Sequence, residues 1–331
     1  MLIVGDTNNV TLKFESGITD VLSVDGSLVN RYRELKKHGD FELYNLGPTT
    51  STTFVFFNLN NRQNKEGKYY VDPIKQKWFQ DKNFRSAIDW AINRDDLILN
   101  IFSGMASPLY TAEAQSSLFL NKKLAQGHPQ DINYAKNLLK QSGFYYKNNE
   151  LFDKDNNRVK FELLTNAGNT QREATGVSIK QDLEKIGIKV NYKAVEFNSL
   201  VNKITNSLDF DCVIIALTSN ILEPHGGYNV WTPNGQLHMF NQRSVNDKKY
   251  TKPYPFEIKL KEIFDKGALE LDLEKRKQIY NEYQQIVADE NLMIYLYSPL
   301  SIVAIRNKVK NVYPTKLMGI IHSKAEIWID K

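Results

Sequence analysis

In the middle of the chain, strand and helix patterns alternate in the order β-α-β-α-β. Apolar runs at residues 160–164, 188–192 and 210–217 have the composition of strands, and residues 170–186 and 200–204 place apolar side chains at helical spacing. Strands that alternate with helices form sheets whose two faces are covered by those helices. The pattern therefore predicts an α/β layer with its strands buried between helices.

Capping side chains mark where several helices begin. Asp81 and Asp131 are candidate N-caps, and Thr170 with Glu173 has the spacing of a capping box. Helix ends are predicted at three glycines, which are Gly104, Gly143 and Gly187. Outside the alternating region, β-branched and aromatic residues predict further strands at residues 53–60, 292–297 and 301–305.

Composition limits the class of protein. The 331 residues exceed the usual size of one domain, which predicts two folding units or one large unit with an appended half. The 43 basic and 38 acidic residues are spread along the chain without a dense basic stripe, so nucleic acid is not an expected partner. The single cysteine, Cys212, excludes an internal disulfide and is expected to be a small buried side chain.

Motifs of the common enzyme classes are missing from the sequence. There is no nucleophile elbow, phosphate-binding glycine loop or zinc-protease helix, so we expect neither catalytic residues nor a cofactor. The spacing of His225 and His238 matches no standard metal site, and a loop histidine that donates to a backbone carbonyl is the favoured alternative. No bilayer-spanning stretch is found, and residues 1–9 contain no hydrophobic export region.

Five short motifs then occur in a recognisable order. They are Phe57-Asn58 with Pro73 and Phe84 to Arg94, Gly104 to Pro108, Ala135 to Leu139 with Gly143-Phe144, Leu183 to Val190, and Asp209 to Asp211. In this order they resemble the C-terminal portion of the family 5 extracytoplasmic solute-binding proteins of the oligopeptide- and dipeptide-binding type. Each motif also has a structural role, as core residues or turn glycines, so the motifs indicate the fold more than the ligand.

This resemblance implies an α/β fold of the periplasmic-binding-protein type, class II. It implies a partial, hinge-proximal first lobe at residues 1–79, a complete second lobe at residues 80–290 and a return to the first lobe at residues 291–331. We expect the export signal and most of the first lobe to be absent from this chain. Strands at residues 54–57 and 300–305 would then form an exposed apolar patch.

The resemblance also implies a function. Such a protein captures oligopeptides or similar solutes outside the cytoplasmic membrane, in the periplasm or at the outer face of the membrane, and delivers them to ABC permease subunits. Contact with the membrane would be made only through an N-terminal anchor that this chain lacks. Two alternatives stay open: a binder of a non-peptide solute, such as a sugar oligomer or a metal chelate, and an interaction module without a small-molecule site.

The loop at residues 218–241 is the expected ligand site, because α/β clefts open at the carboxyl ends of strands. In the family's D-Y-x-x-P loop an aspartate captures the peptide amino terminus, and Asn220 occupies that position here, with Pro224 aligned. A ligand held by stacking and neutral hydrogen bonds is therefore expected, with Trp231 either stacking on it or packing under the loop. The candidate ligand-binding residues are Asn58, Asn220, Glu223, His225, Tyr228, Asn229 and Trp231.

Overall fold

A computed structural model describes residues 7–244, 246–248, 251–316, 319 and 324–330. The helices are α1 (Thr7–Glu15), α2 (Val29–Lys36), α3 (Pro73–Gln80), α4 (Lys82–Ala91), α5 (Arg94–Phe102), α6 (Ile132–Gln141), α7 (Thr170–Lys185), α8 (Phe197–Asn202), α9 (Tyr228–Trp231), α10 (Pro255–Leu269) and α11 (Leu273–Asp289). The strands are β1 (Val21–Val24), β2 (Phe41–Pro48), β3 (Ser51–Phe57), β4 (Ala106–Pro108), β5 (Tyr145–Lys147), β6 (Glu150–Phe152), β7 (Lys160–Asn166), β8 (Lys189–Val195), β9 (Cys212–Thr218), β10 (Ile294–Arg306), β11 (Val309–Lys310) and β12 (Trp328–Ile329).

The chain divides into two compact units. One contains the described residues of 1–49, 98–107 and 298–331, and the other contains residues 50–97 and the described residues of 108–297. The lobe boundaries implied by the resemblance stay a prediction, because compact units of this chain do not by themselves identify the lobes of a receptor. No helix within the described residues combines the length and the apolar character needed to span a membrane.

The larger unit is built on a mixed sheet with the strand order β10-β3-β9-β7-β8. β7 runs parallel to both β8 and β9, whereas β3 runs antiparallel to β9 and to the first residues of β10. The elements follow one another as β7, α7, β8, α8 and β9, which confirms the predicted α/β alternation. Cys212 begins β9 and is buried, and burial raises the pKa of its thiol well above the ordinary value.

The predicted apolar patch at residues 54–57 is wrong, because β3 is an interior strand. Phe54, Val55, Phe56 and Phe57 are each 1% exposed, and β3 pairs with β10 on one side and with β9 on the other. The Phe57 ring packs edge-on against Phe161, with the ring centroids 5.3 Å apart. Residues 302–305 are buried as well. Residues 54–57 of β3 are all apolar because both faces of the strand are buried there.

The smaller unit has its own core. Its part of β10 pairs antiparallel with β1 on one side and β2 on the other. The core collects apolar side chains from helices and strands, which are Phe14, Leu22, Val24, Val29, Tyr32, Phe41, Ile302 and Ala304. The two separate strands predicted at residues 292–297 and 301–305 are one continuous strand, β10. Its register shifts between Tyr295 and Tyr297 and between Leu300 and Ile302, on either side of Pro299.

Most predicted helix ends are confirmed, with one correction. Asp81 and Asp131 each accept backbone N–H bonds, from Asn83 at 2.8 Å and from Tyr134 at 2.8 Å. The predicted capping box is displaced by one residue: Asn169 is the N-cap of α7, its side chain accepting from the N–H of Arg172 at 2.9 Å, and Glu173 accepts from the N–H of Gly168 at 2.7 Å. The three predicted terminal glycines all have φ between 77° and 83°, at Gly104, Gly143 and Gly187.

Candidate functional site

A cavity of about 190 Å³ lies in the larger unit at the carboxyl end of β9. Because β7 and β9 are parallel, this is the edge at which α/β folds bind ligands. The cavity is lined by the end of β9, by the helical turns that follow it, and by side chains of β3, α11, β10 and the segment after β4. The polar and aromatic lining residues are Thr52, Phe54, Glu113, Thr218, Ser219, Asn220, Glu223, Trp231, Tyr283 and Tyr295.

Polar side chains hold the loop that forms this wall. Asn220 Oδ1 accepts from the N–H of Leu222 at 3.0 Å. Glu223 Oε1 accepts from the N–H of His225 at 2.9 Å and so caps the short helical turn Pro224–Gly227. The other oxygen of Glu223 pairs with Arg276 at 2.7 Å. Both Asn220 and Glu223 therefore shape the loop while also lining the cavity.

The structure brings three of the seven predicted residues to the cavity, namely Asn220, Glu223 and Trp231. Trp231 is only 4% exposed, and its ring packs near those of Phe240 and Tyr283. Trp231 therefore packs under the loop and also contributes a wall of the cavity, while stacking on a ligand stays a prediction.

The other four predicted residues lie elsewhere. Tyr228 and Asn229 line a separate surface cavity of about 270 Å³. His225 packs beside Tyr228 and lies 3.3 Å from the Tyr280 hydroxyl. Asn58 is 1% exposed and far from this edge, since its amide donates to the carbonyls that precede β9, those of Leu208 and Phe210. The amide of Asn58 thus fixes the entry to β9, and the structure does not place it among cavity residues.

Sequence reasoning missed Glu113. This side chain is 4% exposed, lines the cavity and accepts hydrogen bonds from the hydroxyls of Tyr283 and Ser117. Burial raises the pKa of Glu113, whereas the two hydroxyl bonds act in the opposite direction. In the local sequence, the only sign of a functional residue was a single carboxylate between two alanines. Its hydrogen-bond partner Tyr283 lies 170 positions away, so the pairing could not be seen from local sequence.

A buried network behind the cavity involves His238. Its ring nitrogens contact the Val230 carbonyl at 2.8 Å and Glu257 Oε1 at 2.7 Å, and both His238 and Glu257 are fully buried. Asn241 donates to the same Glu257 oxygen at 2.6 Å. His238 therefore makes the backbone-carbonyl contact favoured above. Across the described ranges, no group of three or more histidine, cysteine or acidic side chains could hold a metal ion.

A larger cavity of about 1080 Å³ lies at the amino ends of β7 and β8, where Lys160 and Lys189 begin these strands. Size alone would favour it as the binding site. Position argues against this choice, because ligands of α/β folds bind beyond the carboxyl ends of parallel strands. The smaller cavity at the end of β9 also has the more enclosed aromatic walls, and we take it as the candidate site.

One prediction tests how tightly the loop is built. A Cβ on Gly235 would lie 1.9 Å from the carbonyl oxygen of Asn229, which also accepts from the N–H of Leu237. Gly235→Ala should therefore destabilise the protein by about 1–3 kcal/mol in urea unfolding, as overpacking usually does. Gly226→Ala is the matched control, because a Cβ there meets nothing within 4 Å. Equal stability of the two variants would show that the loop can move away from the clash.

Known proteins share this fold and part of this sequence. The chain is 27% identical over 330 residues to a probable ABC transporter-binding protein of Deinococcus radiodurans, an alignment that covers 94% of this chain and 53% of the relative. It is 27% identical over 289 residues to the oligopeptide-binding protein AppA of Bacillus subtilis, covering 79% of this chain and 50% of AppA. The chain thus spans about half the length of the curated relatives it matches.

Solved structures show the same fold. The Bacillus subtilis AppA structure, in complex with a nonapeptide, superposes with a TM-score of 0.73 at 20% identity, covering 99% of this chain and 60% of AppA. NikA from Brucella suis, in complex with Fe(III)-EDTA, superposes with a TM-score of 0.77 at 18% identity, covering 98% of this chain and 60% of NikA. The family model described as bacterial extracellular solute-binding proteins, family 5 Middle, matches residues 1–238. The chain therefore belongs to the family 5 bacterial extracellular solute-binding proteins.

Proposed function

We propose that this protein is the solute-binding component of an ABC importer and that it captures oligopeptides outside the cytoplasmic membrane. The observation that carries the proposal is the cavity at the carboxyl end of β9, walled by aromatic rings and polar side chains in a chain of this family. The similarity to an oligopeptide-binding protein over 79% of the chain supports peptides as the solute. A receptor of this kind has permease subunits as partners and needs no catalytic group.

Within this function, we assign the ligand contacts to Asn220, Glu223 and Trp231 among the residues singled out from sequence. They share one cavity, whereas Tyr228 and Asn229 line another. A backbone amide of a peptide can hydrogen-bond to the Asn220 side chain, and an apolar peptide side chain can pack on the rings of Phe54, Trp231 and Tyr295. The lobe arrangement implied by the resemblance forms part of the same proposal.

The natural protein that contains this sequence, at its full length, provides the test. Mass spectrometry of small molecules released from the purified protein should find peptides. Calorimetry with synthetic peptides of two to nine residues should then give dissociation constants of about 1 µM or tighter. Sugar oligomers and nickel or iron chelates serve as controls. Binding of one of these controls in the absence of peptide binding would replace the peptide with another solute class.

A further inference from the structure

The carboxylate of Glu113 is enclosed by its own fold and faces the cavity. The residue is 4% exposed, and its side chain is held by hydroxyl groups on two segments, Ser117 at 2.7 Å and Tyr283 of α11. Both hydroxyls donate to carboxylate oxygens, and each oxygen retains capacity for a further donor. The carboxylate is therefore fixed in position while still able to accept a hydrogen bond from a bound molecule.

Glu113 also lacks a compensating positive charge. In the part of the chain that the structure describes, no ion pair includes Glu113. The other carboxylate on the cavity, Glu223, is already paired with Arg276 at 2.7 Å. An unpaired buried carboxylate is costly to the fold, and such groups concentrate at functional sites. When Glu113 is ionised, the cavity thus carries a negative charge that a bound cation would balance.

We propose that Glu113 recognises a protonated amine on the ligand, which makes it a specificity-determining residue of the proposed peptide site. The inference rests on the proposed function and gives the charge of the solute group that enters the cavity. The volume of about 190 Å³ equals the liquid volume of about six water molecules, enough for an ammonium group with the first atoms of a peptide. The rings of Phe54, Trp231 and Tyr295 around it favour a cation.

This assignment changes the expectation drawn from the loop sequence. Asn220 cannot supply a negative charge, and its side chain oxygen is used by the N–H of Leu222. Glu113 supplies the charge from a different segment of the same cavity wall. The ligand group is thus cationic where the loop alone indicated a neutral one. Two sources provide this chemistry, the amino terminus of a peptide and the side chain of a lysine.

Calorimetry with three probes separates these sources, using the full-length natural protein. The probes are trialanine, N-acetyl-trialanine and N-acetyl-Ala-Lys-Ala. We expect the amine-containing probe that fits the site to bind about thirtyfold more tightly than N-acetyl-trialanine, as charge-assisted hydrogen bonds usually give. In Glu113→Gln this preference should fall to less than about threefold. The control Glu184→Gln, on the exposed face of α7, should keep the full preference.

Thermal melting shows whether the variant acts through the fold. Burial raises the pKa of Glu113, so above the ordinary glutamate value of about 4.3 its ionised form weakens the folded state. Glu113→Gln should therefore melt at the same temperature as wild type or higher at pH 7. A purely structural role for Glu113 predicts a lower melting temperature with the amine preference intact.

A pH series on the unmutated protein gives an independent measurement. The preference for the amine should be complete well above the raised pKa of Glu113 and should disappear as the pH falls through it, because the protonated carboxyl no longer attracts a cation. The other charged or titratable groups around Glu113 are Glu223, Arg276, Tyr280, Tyr283 and Tyr295, with His225 against Tyr280. Burial raises the pKa of each tyrosine, so the tyrosines do not ionise in the acidic part of the series. Glu223 is the neighbouring carboxyl.

The outcomes separate the two proposals. If wild type and Glu113→Gln bind all three probes with the same ratios, Glu113 does not read the amine and the proposed peptide function stands. If wild type binds none of the three probes nor any longer peptide, the proposed function is wrong and this inference falls with it. Loss of the preference in Glu113→Gln and at low pH, with retained melting temperature, supports the inference.

Discussion

Replacing Trp231 with alanine should lower the free energy of unfolding by about 3–5 kcal/mol, the usual cost of truncating a buried aromatic side chain. The side chain is 4% exposed and packs near Phe240 and Tyr283, whose ring centroids lie 6.2 and 6.0 Å away. A Cβ on Gly227 would come within 3.1 Å of the Trp231 ring, which shows how closely the backbone approaches it. The space left by the truncation would open into the existing cavity.

Urea unfolding followed by circular dichroism measures this change. Trp328→Ala is the matched control, because that tryptophan is 54% exposed and its loss should change stability by less than about 0.5 kcal/mol. Peptide affinity should fall as well, since the ring forms a wall of the cavity. A Trp231→Ala protein with wild-type stability and weakened peptide binding would show that the ring serves the ligand alone.

Glu257→Ala should cost about 3–5 kcal/mol, because it removes one partner from a buried charged network. Glu257 is fully buried and accepts from Asn241 at 2.6 Å and from the N–H of Tyr254 at 2.7 Å, in addition to its contact with His238. Without it, the buried His238 ring and the Asn241 amide lose an acceptor. Glu262→Ala on the exposed face of the same helix is the control, since its pairing with Lys259 is solvated.

The stability that Glu257 provides should depend on pH. Burial by itself would raise the pKa of Glu257, but the hydrogen bonds and charge of His238, together with Asn241 and the Tyr254 N–H, lower it below the ordinary value. A carboxyl with a lowered pKa stabilises the fold fully above its unfolded value of about 4.3 and loses this effect as the pH falls through the folded value. The difference between wild type and Glu257→Ala should therefore be constant near neutral pH and shrink below about pH 4. A difference that stays constant down to pH 2 would contradict the ionised role of Glu257.

The elements of the α/β layer could be predicted because local sequence determines them. β9 is a run of apolar residues bounded by polar ones, and Asp81 and Asp131 cap helices through bonds to N–H groups two or three positions away. The position of the candidate loop followed from the same reasoning, since it depends only on where β9 ends. The strand β3 was also predicted from its composition, but the expected exposed patch on it was wrong, because β3 pairs with β9 and β10, which are distant in sequence.

Individual site residues were harder to predict for a similar reason. Asn58 has the polar amide of a ligand contact, but its partners are carbonyls 150 and 152 positions along the chain. Glu113 lies in a segment without regular structure, and its role depends on Tyr283 and on the cavity wall. Residue type and spacing do not reveal such long-range pairings. The network of His238, Asn241 and Glu257 was invisible in sequence for the same reason.

The loop at residues 218–241 is supported in part by side chains that do not line the cavity. Asn229 accepts from the N–H of Gln236 at 2.6 Å, and His238 holds the carbonyl of Val230 from behind. Cavity positions such as Ser219 and Leu237 take no part in these side-chain contacts. In the proposed site, substitutions at these positions would change the contacts with the solute while the supporting residues keep the loop folded. If the proposed site binds the solute, new ligand preferences would then arise by single substitutions that leave the loop folded.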